Sequence, residues 1–474
     1  MIIKLPEHIE FVLNQLKAGG FEAYIVGGCM RDLLMKKEPK DWDITTSALP
    51  KEIERTFTSS YYNNKFGTVV AQVNGEEVEI TTYRSEANYS DKRHPDKVEF
   101  GVSLEEDLKR RDFTMNALAY DGKNTIDLFD GKKDIQNSKI KAINDPDERF
   151  NEDALRMLRA IRFSAQLNFN IEDKTYKSIC KHKELIKHVS GERIRDELMK
   201  IIDSDDSLKG IWLLKESGLQ KIILPELEEN VGLAQNKHHP YTSYFHALLS
   251  MQFCPSDDPL VKLAALLHDI GKPQTKQGDG LNATFHNHEM VSRKLAKKIM
   301  RRLKFSKKEI DRTCHLIRHH MFYYNIGEIS DAGVRRIIKR VGLEHLQDLI
   351  DIRIGDRLGS ACPKAKPYKL QELENRIVEV QKDPIDTNML VLDGHAIMGL
   401  TDLKPGPEIG IILNKLLEEV LDDPKLNNQG YLTKRAVEIY KELDNIDISK
   451  VKQNIGAKAE KLDSDELKKE FPKE

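Results

Sequence analysis

Two carboxylates two residues apart, Asp41 and Asp43, follow a glycine pair and an arginine within Gly27–Asp32. If both acids lie on one strand, side-chain alternation points them to the same face of the sheet. Adjacent carboxylates repel each other unless cations lie between them. Mg²⁺ suits such oxygen ligands and completes its shell with water and substrate phosphates. The pattern therefore predicts that Asp41 and Asp43 bind Mg²⁺ while Gly28 and Arg31 contact a triphosphate.

These groups fit nucleotidyl transfer, in which divalent metals activate an attacking 3′-hydroxyl and stabilise the leaving pyrophosphate. The preceding residues Ala23–Val26 predict a short buried strand that runs into a tight Gly-Gly turn. An acidic turn beside a glycine-rich loop would account for Asp-x-Asp alone. The Gly-Gly-x-x-Arg-Asp pattern at this distance upstream favours the catalytic interpretation.

A small α/β unit is expected to position these residues. Glu7–Lys17 predicts an amphipathic helix, and residues 67–73 and 78–83 predict a β-hairpin about an Asn74-Gly75 turn. Glu79 could supply a third carboxylate to the metal site. An alternating strand residue that faces solvent is the favoured interpretation of Glu79.

A second motif, Asp107–Leu118, contains a pair of arginines in a short basic run. The arginines of this motif, Arg110 and Arg111, could hold the triphosphate, while Thr114 and Asn116 could orient a sugar or a turn. A basic pair by itself is usually a solvated face. Its position between the hairpin and the segment Ile126–Gly131 favours the nucleotide-binding interpretation.

A third motif, Arg149–Phe163, shows helical periodicity. Leu155, Leu158 and Ile161 fall on one side of the helical wheel. The charged residues of the other side are Glu152, Asp153, Arg156 and Arg159, with Arg162 near its edge. A plain amphipathic helix with ion pairs three residues apart would explain this pattern equally well.

Base chemistry offers a sharper interpretation of the third motif. The carboxylate of Asp153 could accept from the exocyclic amine of cytosine or adenine, while Arg156 donates to cytosine N3 or adenine N1. Guanine and uracil present a carbonyl in place of the amine and an N–H in place of the acceptor. Both contacts would then fail and leave polar groups unpaired. The Asp153/Arg156 pair would thus select CTP and ATP.

A separate set of metal-ligand residue types lies in the middle of the chain, in the order H…HD…D: His246, His268, Asp269 and Asp356. Imidazoles and carboxylates that converge from different helices suit a divalent ion that activates water. Lone histidines are usually structural, but this order of ligand types favours a metal site. The histidines that could hold a second ion are His286, His288, His319 and His320.

The composition indicates a globular chain of several domains. Its 474 residues exceed the size of one core, 32% are charged and 39% hydrophobic, and the mean hydropathy is −0.54. No apolar run approaches a membrane span, Met1–Pro6 does not resemble a signal peptide, and the five cysteines form no Cys-x-x-Cys pair. We therefore expect a soluble cytoplasmic protein. With a net charge near −2, any nucleic-acid surface must be a local patch.

The segment Gly27–Leu34 with the two acids resembles the signature of the class II tRNA nucleotidyltransferases and bacterial poly(A) polymerases, within the polymerase-β-like superfamily. Met30 replaces the usual valine, and Met35-Lys36 stands where Leu-Gly is common, but neither change removes a ligand. The resemblance implies that the third motif is an amino-acid template for the base. It also implies that Arg159 and Arg162 contact the nucleotide.

Other segments extend the resemblance over most of the chain. Tyr83–Phe100 resembles the flexible loop of full CCA-adding enzymes, and Ser190–Leu198 fits neck helices that brace the template. The histidine and aspartate set resembles the HD superfamily of metal-dependent phosphohydrolases. Leu392–Met398 and Leu403–Gly410 resemble the tRNA-gripping tail of the same enzymes.

The resemblance implies an α+β fold: a polymerase-β-like head at 1–148, an all-α neck and body at 149–235, an HD domain at 236–362, and a helical tail at 368–474. From about Asn151 onward we expect helices without strands, and a lysine- and glutamate-rich segment from about Asn445 predicts a solvated helix or a partly disordered tail.

The implied function is Mg²⁺-dependent addition of CCA to the 3′ end of tRNA from CTP and ATP, with tRNA as the macromolecular partner and no membrane or protein partner evident. A divalent transition metal is the candidate cofactor of the HD site. The rivals are a CC- or A-adding partner enzyme, a poly(A) polymerase, and an HD phosphohydrolase whose head serves only to bind tRNA.

Overall fold

The computed structural model describes residues 4–39, 41–64, 67–87, 97–235, 240–322, 329–362, 364, 366 and 368–443. The chain forms two compact units. The first unit comprises Met1–Met321 and Asp348–Ala365, and the second comprises Phe322–Gln347 and Lys366–Glu474. The domain boundaries expected from the sequence at 148 and 235 fall inside the first unit and stay predictions.

Mixed sheets form the scaffold of the N-terminal part. The strands are β1 (Ala23–Val26), β2 (Asp43–Thr46), β3 (Ser60–Asn64), β4 (Thr68–Val73), β5 (Glu76–Thr82), β6 (Arg84–Ala87), β7 (Lys97–Phe100), β8 (Leu118–Tyr120), β9 (Thr125–Asp127), β10 (Lys139–Ile140) and β11 (Asn170–Ile171). Seven of them form one sheet in the order β3-β4-β5-β2-β1-β8-β9. β2 lies between β1 and β5 and pairs antiparallel with the first and parallel with the second.

Helices dominate the rest of the described residues. Those before the HD segment are α1 (Glu7–Ala18), α2 (Gly28–Leu34), α3 (Pro50–Thr56), α4 (Leu104–Lys109), α5 (Gly131–Gln136), α6 (Pro146–Glu152), α7 (Leu155–Leu167), α8 (Asp173–His182), α9 (Gly191–Ile202), α10 (Ser207–Glu216), α11 (Gln220–Ile223) and α12 (Pro225–Glu228). Those that follow are α13 (Ser243–Gln252), α14 (Pro259–Leu267), α15 (Lys272–Thr275), α16 (His288–Arg302), α17 (Lys307–His319), α18 (Asp331–Val341), α19 (Leu346–Gly359), α20 (Tyr368–Val380), α21 (Gly394–Thr401), α22 (Pro407–Asp422) and α23 (Gln429–Leu443). This α+β composition confirms the predicted fold class.

Two predictions made from short stretches of the head sequence, the first helix and the β-hairpin, are confirmed. α1 begins at Glu7 as expected, and β4 and β5 form the predicted hairpin. Asn74 and Gly75 of its turn have φ angles of +53° and +86°. Two successive positive φ values define the tight hairpin turn that Asn-Gly favours.

Three expectations are wrong. Asp41 and Asp43 do not share a strand, because β2 begins only at Asp43. The third motif is not one helix, because α6 ends at Glu152 and Asp153 adopts φ −138° and ψ 104° before α7 begins. Strands also continue past Asn151, since β11 pairs in parallel with β10.

The second unit has its own apolar core. Its buried members come from the segment before α21, from α21 itself, and from α22 and α23: Leu390, Leu392, Ile397, Ile409, Ile412, Leu416, Leu417, Val420, Leu421, Leu432, Ala436 and Ile439.

Among the described residues, no helix combines the length and apolar character needed to cross a bilayer. Half of the segment 83–100 that resembles a flexible loop, residues 88–96, lies outside the described residues. So do parts of the linker 362–367 and all of the tail from 444.

Candidate nucleotide site and metal centre

The glycine turn at Gly27 lies next to the carboxylate of Asp43, at the edge of a pocket. β1 runs into Gly27, and the register pairs Val26 with Asp43 on the neighbouring strand. Gly27 has φ +83°, and a Cβ there would lie 3.0 Å from Asp43 Oδ2 and 3.3 Å from Arg111 Nη1. Glycine is required here because the conformation is left-handed and because Asp43 and Arg111 approach the backbone so closely.

Glu79 alternates with buried residues on β5 and is exposed, which confirms the favoured interpretation of it as a solvent-facing strand residue. β5 pairs in parallel with β2, and the register places Glu79 beside Asp43. Desolvation raises the pKa of Asp43, Arg111 opposes that rise, and the charge of Asp41 adds to it. Desolvation and the charges of Asp43 and Asp41 likewise raise the pKa of Glu79. A divalent ion such as Mg²⁺ would relieve the repulsion between the carboxylates of Asp41 and Asp43.

Arg31 belongs to a chain of polar contacts that connects α2 to α7. It donates to Asp32 at 2.8 and 2.9 Å and to Asn116 Oδ1 at 3.0 Å. Asn116 donates to the buried carboxylate of Asp112 at 3.0 Å, and Arg159 donates to the other oxygen of Asp112 at 2.8 Å. Asn116 therefore connects Arg31 to Asp112, and its expected contact with a sugar stays a prediction.

Asp112 is the centre of this chain and stays ionised. Burial acts to raise its pKa, but the charge of Arg159 and the hydrogen bonds from Asn116 and Arg159 lower it to about 2. The ionised carboxylate links the guanidinium groups of α2 and α7 through fixed hydrogen bonds. The second motif thus connects α2 to α7, the second helix of the third motif.

The two expected base-reading residues have separate partners. Arg193 of α9 donates to both oxygens of Asp153, at 2.8 and 3.2 Å. Arg156 donates to Glu152 at 2.6 Å and to the backbone carbonyls of Arg149 and Arg110. Asp153 also accepts a hydrogen bond of 3.1 Å from the backbone N–H of Leu155, the first residue of α7. Asp153 is therefore a helix-start residue held by a neighbouring helix.

One aromatic ring contacts three guanidinium groups. Phe163 lies 4.3 Å from the guanidinium carbon of Arg162, 5.3 Å from that of Arg31 and 5.5 Å from that of Arg159. The ring is 6% exposed. Burial lowers the pKa of Arg162 to about 10, although the nearby Glu197 opposes this. The electron-rich face of a ring attracts cations and offsets part of their mutual repulsion.

Most of these groups line one cavity of about 620 Å³, named here the nucleotide pocket; Glu79 is not among its lining residues. The pocket brings together every residue that the sequence predicted for the reaction: Gly28, Arg31, Asp41, Asp43, Arg110, Arg111, Asp153, Arg156, Arg159 and Arg162. Sequence reasoning missed Phe163, Gln166 and Arg193 as lining residues. The helical spacing of Phe163 and Gln166 after Arg159 is a signal that could have found two of them.

The second predicted site also assembles. His246 Nε2 lies 3.2 Å from His268 Nε2, 3.3 Å from Asp269 Oδ2 and 3.4 Å from Asp356 Oδ1. Burial acts to lower the pKa of His246, but hydrogen bonds with Asp269 and Asp356 outweigh burial and raise it to about 9. His268 Nδ1 lies 2.7 Å from the carbonyl of Ala265, an arrangement that directs Nε2 at the cluster.

Asp269 is shared with a second group of ligands. Its Oδ1 lies 3.0 Å from His288 Nε2 and 3.8 Å from His320 Nε2, and these two nitrogens are 3.3 Å apart. Burial, with the charge of His268, lowers the pKa of His320 to about 3, so this imidazole is neutral and suited to a metal. The described residues therefore form two ligand groups that share Asp269. The first is His246, His268 and Asp269, and the second is Asp269, His288 and His320.

Two predicted second-ion ligands are not brought into these groups. His286 is exposed at the rim of the adjoining cavity of about 460 Å³, and the ring of His319 packs 4.6 Å from that of His315. The same cavity is lined by cationic side chains that include Lys272, Arg353 and Arg357. An anionic group would be attracted to this cavity.

Comparison with known proteins agrees with this architecture. Family models match in chain order: "Poly A polymerase head domain" at residues 23–141, "Probable RNA and SrmB- binding site of polymerase A" at 168–230 and "HD domain" at 237–378. The CCA-adding enzyme of Lactobacillus helveticus is 36% identical over 428 residues, which cover 89% of this chain and 94% of that protein. That of Levilactobacillus brevis is 46% identical over 220 residues, which cover 45% of this chain and 55% of that protein.

A solved structure shows the same fold. The crystal structure of the Bacillus stearothermophilus CCA-adding enzyme in complex with CTP is similar with a TM-score of 0.70 at 25% identity. The alignment covers 94% of this chain and 100% of that one.

Proposed function

The chain belongs to the family of CCA-adding enzymes, and we propose that its reaction, the template-independent addition of CCA to the 3′ end of tRNA from CTP and ATP, takes place in the nucleotide pocket. The observation that carries this proposal is that one pocket gathers a carboxylate cluster, a wall of guanidinium groups and two candidate base-reading side chains. These correspond to the metal, the triphosphate and the base.

Enzymes of this family generally use a divalent metal, and Asp41 and Asp43 are the residues that would hold Mg²⁺ here, with Glu79 beside Asp43 on the neighbouring strand. A bound ion supplies activation of the 3′-hydroxyl and neutralises charge on the leaving pyrophosphate. Arg111 favours the ionised form of Asp43, which is the form that binds a cation. Gly27 leaves the space in which both side chains meet.

The guanidinium groups around Phe163 suit the triphosphate. Arg31, Arg159 and Arg162 gather several positive charges on one wall of the pocket, where a triphosphate would relieve their repulsion. Each arginine already has a carboxylate partner that fixes its orientation. Such preorganisation lowers the ordering cost of nucleotide binding.

The base-reading pair acts through its neighbours. Arg193 fixes the plane of the Asp153 carboxylate, and Glu152 holds one amino group of Arg156. In the proposed reaction Asp153 accepts from the exocyclic amine of cytosine or adenine and Arg156 donates to the adjacent ring nitrogen. The contacts with Arg193 and Glu152 orient both groups before a base arrives.

The test is labelled CTP and ATP incorporation on tRNAs that end before, within and after CCA. Full addition on all incomplete ends supports a CCA-adding enzyme; addition of C alone, A alone or long A tracts would indicate one of the rival nucleotidyltransferases. Asp41→Ala and Asp43→Ala should abolish both additions but leave tRNA binding, since phosphate contacts elsewhere supply most of that affinity. Glu54→Ala, an exposed carboxylate on α3, is the matched control.

A second candidate function, metal-dependent phosphoester hydrolysis, is favoured by the shared position of Asp269. One carboxylate oxygen faces His246 and His268 and the other faces His288 and His320. Converging imidazole and carboxylate donors fit divalent transition metals. When bound, such ions supply an activated water for attack on a phosphoester.

A further inference from the structure

The helical hairpin formed by α16 and α17 concentrates positive charge. Between Arg293 and Arg318 the chain has eleven lysines and arginines against two acids, although the whole chain has a net charge of −2. A local cationic surface is therefore present in a chain whose overall charge conceals it.

Some of these cations have structural partners. Arg302 donates to both oxygens of Glu226, and Arg312 pairs with Asp258 and Asp348. Others form no ion pair with any described carboxylate. Those seven, named here the basic hairpin surface, are Arg293, Lys297, Arg301, Lys304, Lys307, Lys308 and Arg318. They are half-buried or fully exposed, and therefore reach solvent.

The helix dipole favours Arg301 and Arg318, which lie in the last turns of α16 and α17, but helix stability does not explain the other five. Arg293, Lys297 and Arg301 follow one another at four-residue intervals on one face of α16, where like charges destabilise a helix. Lys307 and Lys308 occupy the first two positions of α17, where positive charge opposes the helix dipole. The cost of this arrangement points to an anionic partner.

The basic hairpin surface adjoins the nucleotide pocket through α9. The Lys304 carbonyl accepts from Arg195 at 2.7 Å, and a Cβ at Gly191 would lie 2.6 Å from the Arg302 carbonyl oxygen. Arg193, on the same helix between these contacts, lines the nucleotide pocket and holds Asp153. An RNA strand whose 3′ end reacts in the nucleotide pocket would therefore pass close to the hairpin of α16 and α17.

We propose that the basic hairpin surface binds the phosphodiester backbone of the RNA substrate, next to the end that receives nucleotides. This inference rests on the proposed function, which supplies the polyanion. The row from Arg293 to Arg301 spans about 12 Å along α16, enough to follow several phosphates of one strand. Backbone contacts of this kind position RNA without reading its sequence.

The test compares two double variants with the same change of charge. Arg301→Glu/Lys308→Glu alters the last turn of α16 and the first turn of α17. Its control, Lys51→Glu/Arg55→Glu, alters the first and last turns of α3, where both residues are exposed. The dissociation constant for tRNA lacking CCA is measured between about 50 and 200 mM salt.

The hairpin variant should bind tRNA roughly tenfold more weakly at low salt, with a salt dependence reduced by about one to two released ions. The control should match the wild type. Equal tRNA affinity of the two double variants would overturn the proposed role of the basic hairpin surface. CCA addition by the wild-type protein, measured in the same experiment, would still support the proposed function in that case. Lack of wild-type addition would instead reject the proposed function. Lys304→Ala/Lys307→Ala provides a milder second variant, and thermal unfolding checks the fold of each.

Discussion

Arg193 donates a hydrogen bond to each carboxylate oxygen of Asp153, at 2.8 and 3.2 Å, although forty residues separate the two in sequence. The bidentate contact fixes the plane of the carboxylate, which a single hydrogen bond would leave free to rotate. Asp153 lies between α6 and α7, so its backbone alone does not determine its orientation.

The first prediction concerns the base-reading pair. Asp153→Ala or Arg156→Ala should raise incorporation of UTP and GTP relative to CTP and ATP by about ten- to a hundredfold, because one good bidentate base contact contributes roughly 1–3 kcal/mol. Competition between the four nucleotides on tRNA lacking CCA measures the effect. Unchanged selectivity would mean that this segment only supports the fold.

Arg193→Lys separates orientation from charge. Lysine keeps the positive charge but cannot form the planar bidentate contact. We expect selectivity to fall toward that of Asp153→Ala, while the Tm changes little and tRNA affinity is kept. A lysine variant with wild-type selectivity would show that a nearby charge is sufficient.

Phe163→Leu should raise KM for both CTP and ATP. Loss of the ring removes contacts worth about 0.5–2 kcal/mol each from the arginines of the nucleotide pocket. Phe163→Tyr should retain nucleotide affinity, because its ring face is kept. Phe169→Leu, a buried aromatic outside the pocket, controls for loss of apolar volume. An equal rise in KM for Phe163→Leu and this control would reject the cation–π role.

Asp112 makes stability depend on pH. The pKa of Asp112 in the folded protein, about 2, lies below its ordinary value of 3.8. The ionised carboxylate therefore stabilises the fold fully above pH 3.8, and this stabilisation is lost as the pH falls through about 2. The difference in pKa corresponds to about 2 kcal/mol. Urea unfolding at pH 7 should show Asp112→Asn to be less stable than the wild type, and that gap should shrink by pH 3. A gap that stays constant over this range would contradict the assignment.

The metal content should follow the sharing of Asp269. Asp269→Ala with His268→Ala should lose bound transition metal and any phosphatase or phosphodiesterase activity, for example on 2′,3′-cyclic nucleotides. His320→Ala should affect only the second ligand group. CCA addition should stay within a few fold of the wild type, because the two sites share no residue. Elemental analysis of purified protein measures the first effect; unchanged metal content in the double variant would reject the site.

The sequence by itself identified the residues that are proposed to carry chemistry, and it determined local elements around them. Asp41, Asp43 and His268-Asp269 were found because their chemistry depends on residue type and short spacing. The hairpin turn was found because positive φ values at Asn74 and Gly75 are a property of those two residues.

Only the tertiary structure decided which distant groups meet. Glu79 lies beside Asp43 because β5 pairs in parallel with β2, a pairing between strands that are not consecutive in the chain. The orientation of the Asp153 carboxylate depends on Arg193 from another helix, and the two roles of Asp269 depend on helices that converge on it. Such contacts form when the chain closes long loops around a shared core, so no short window of sequence contains them.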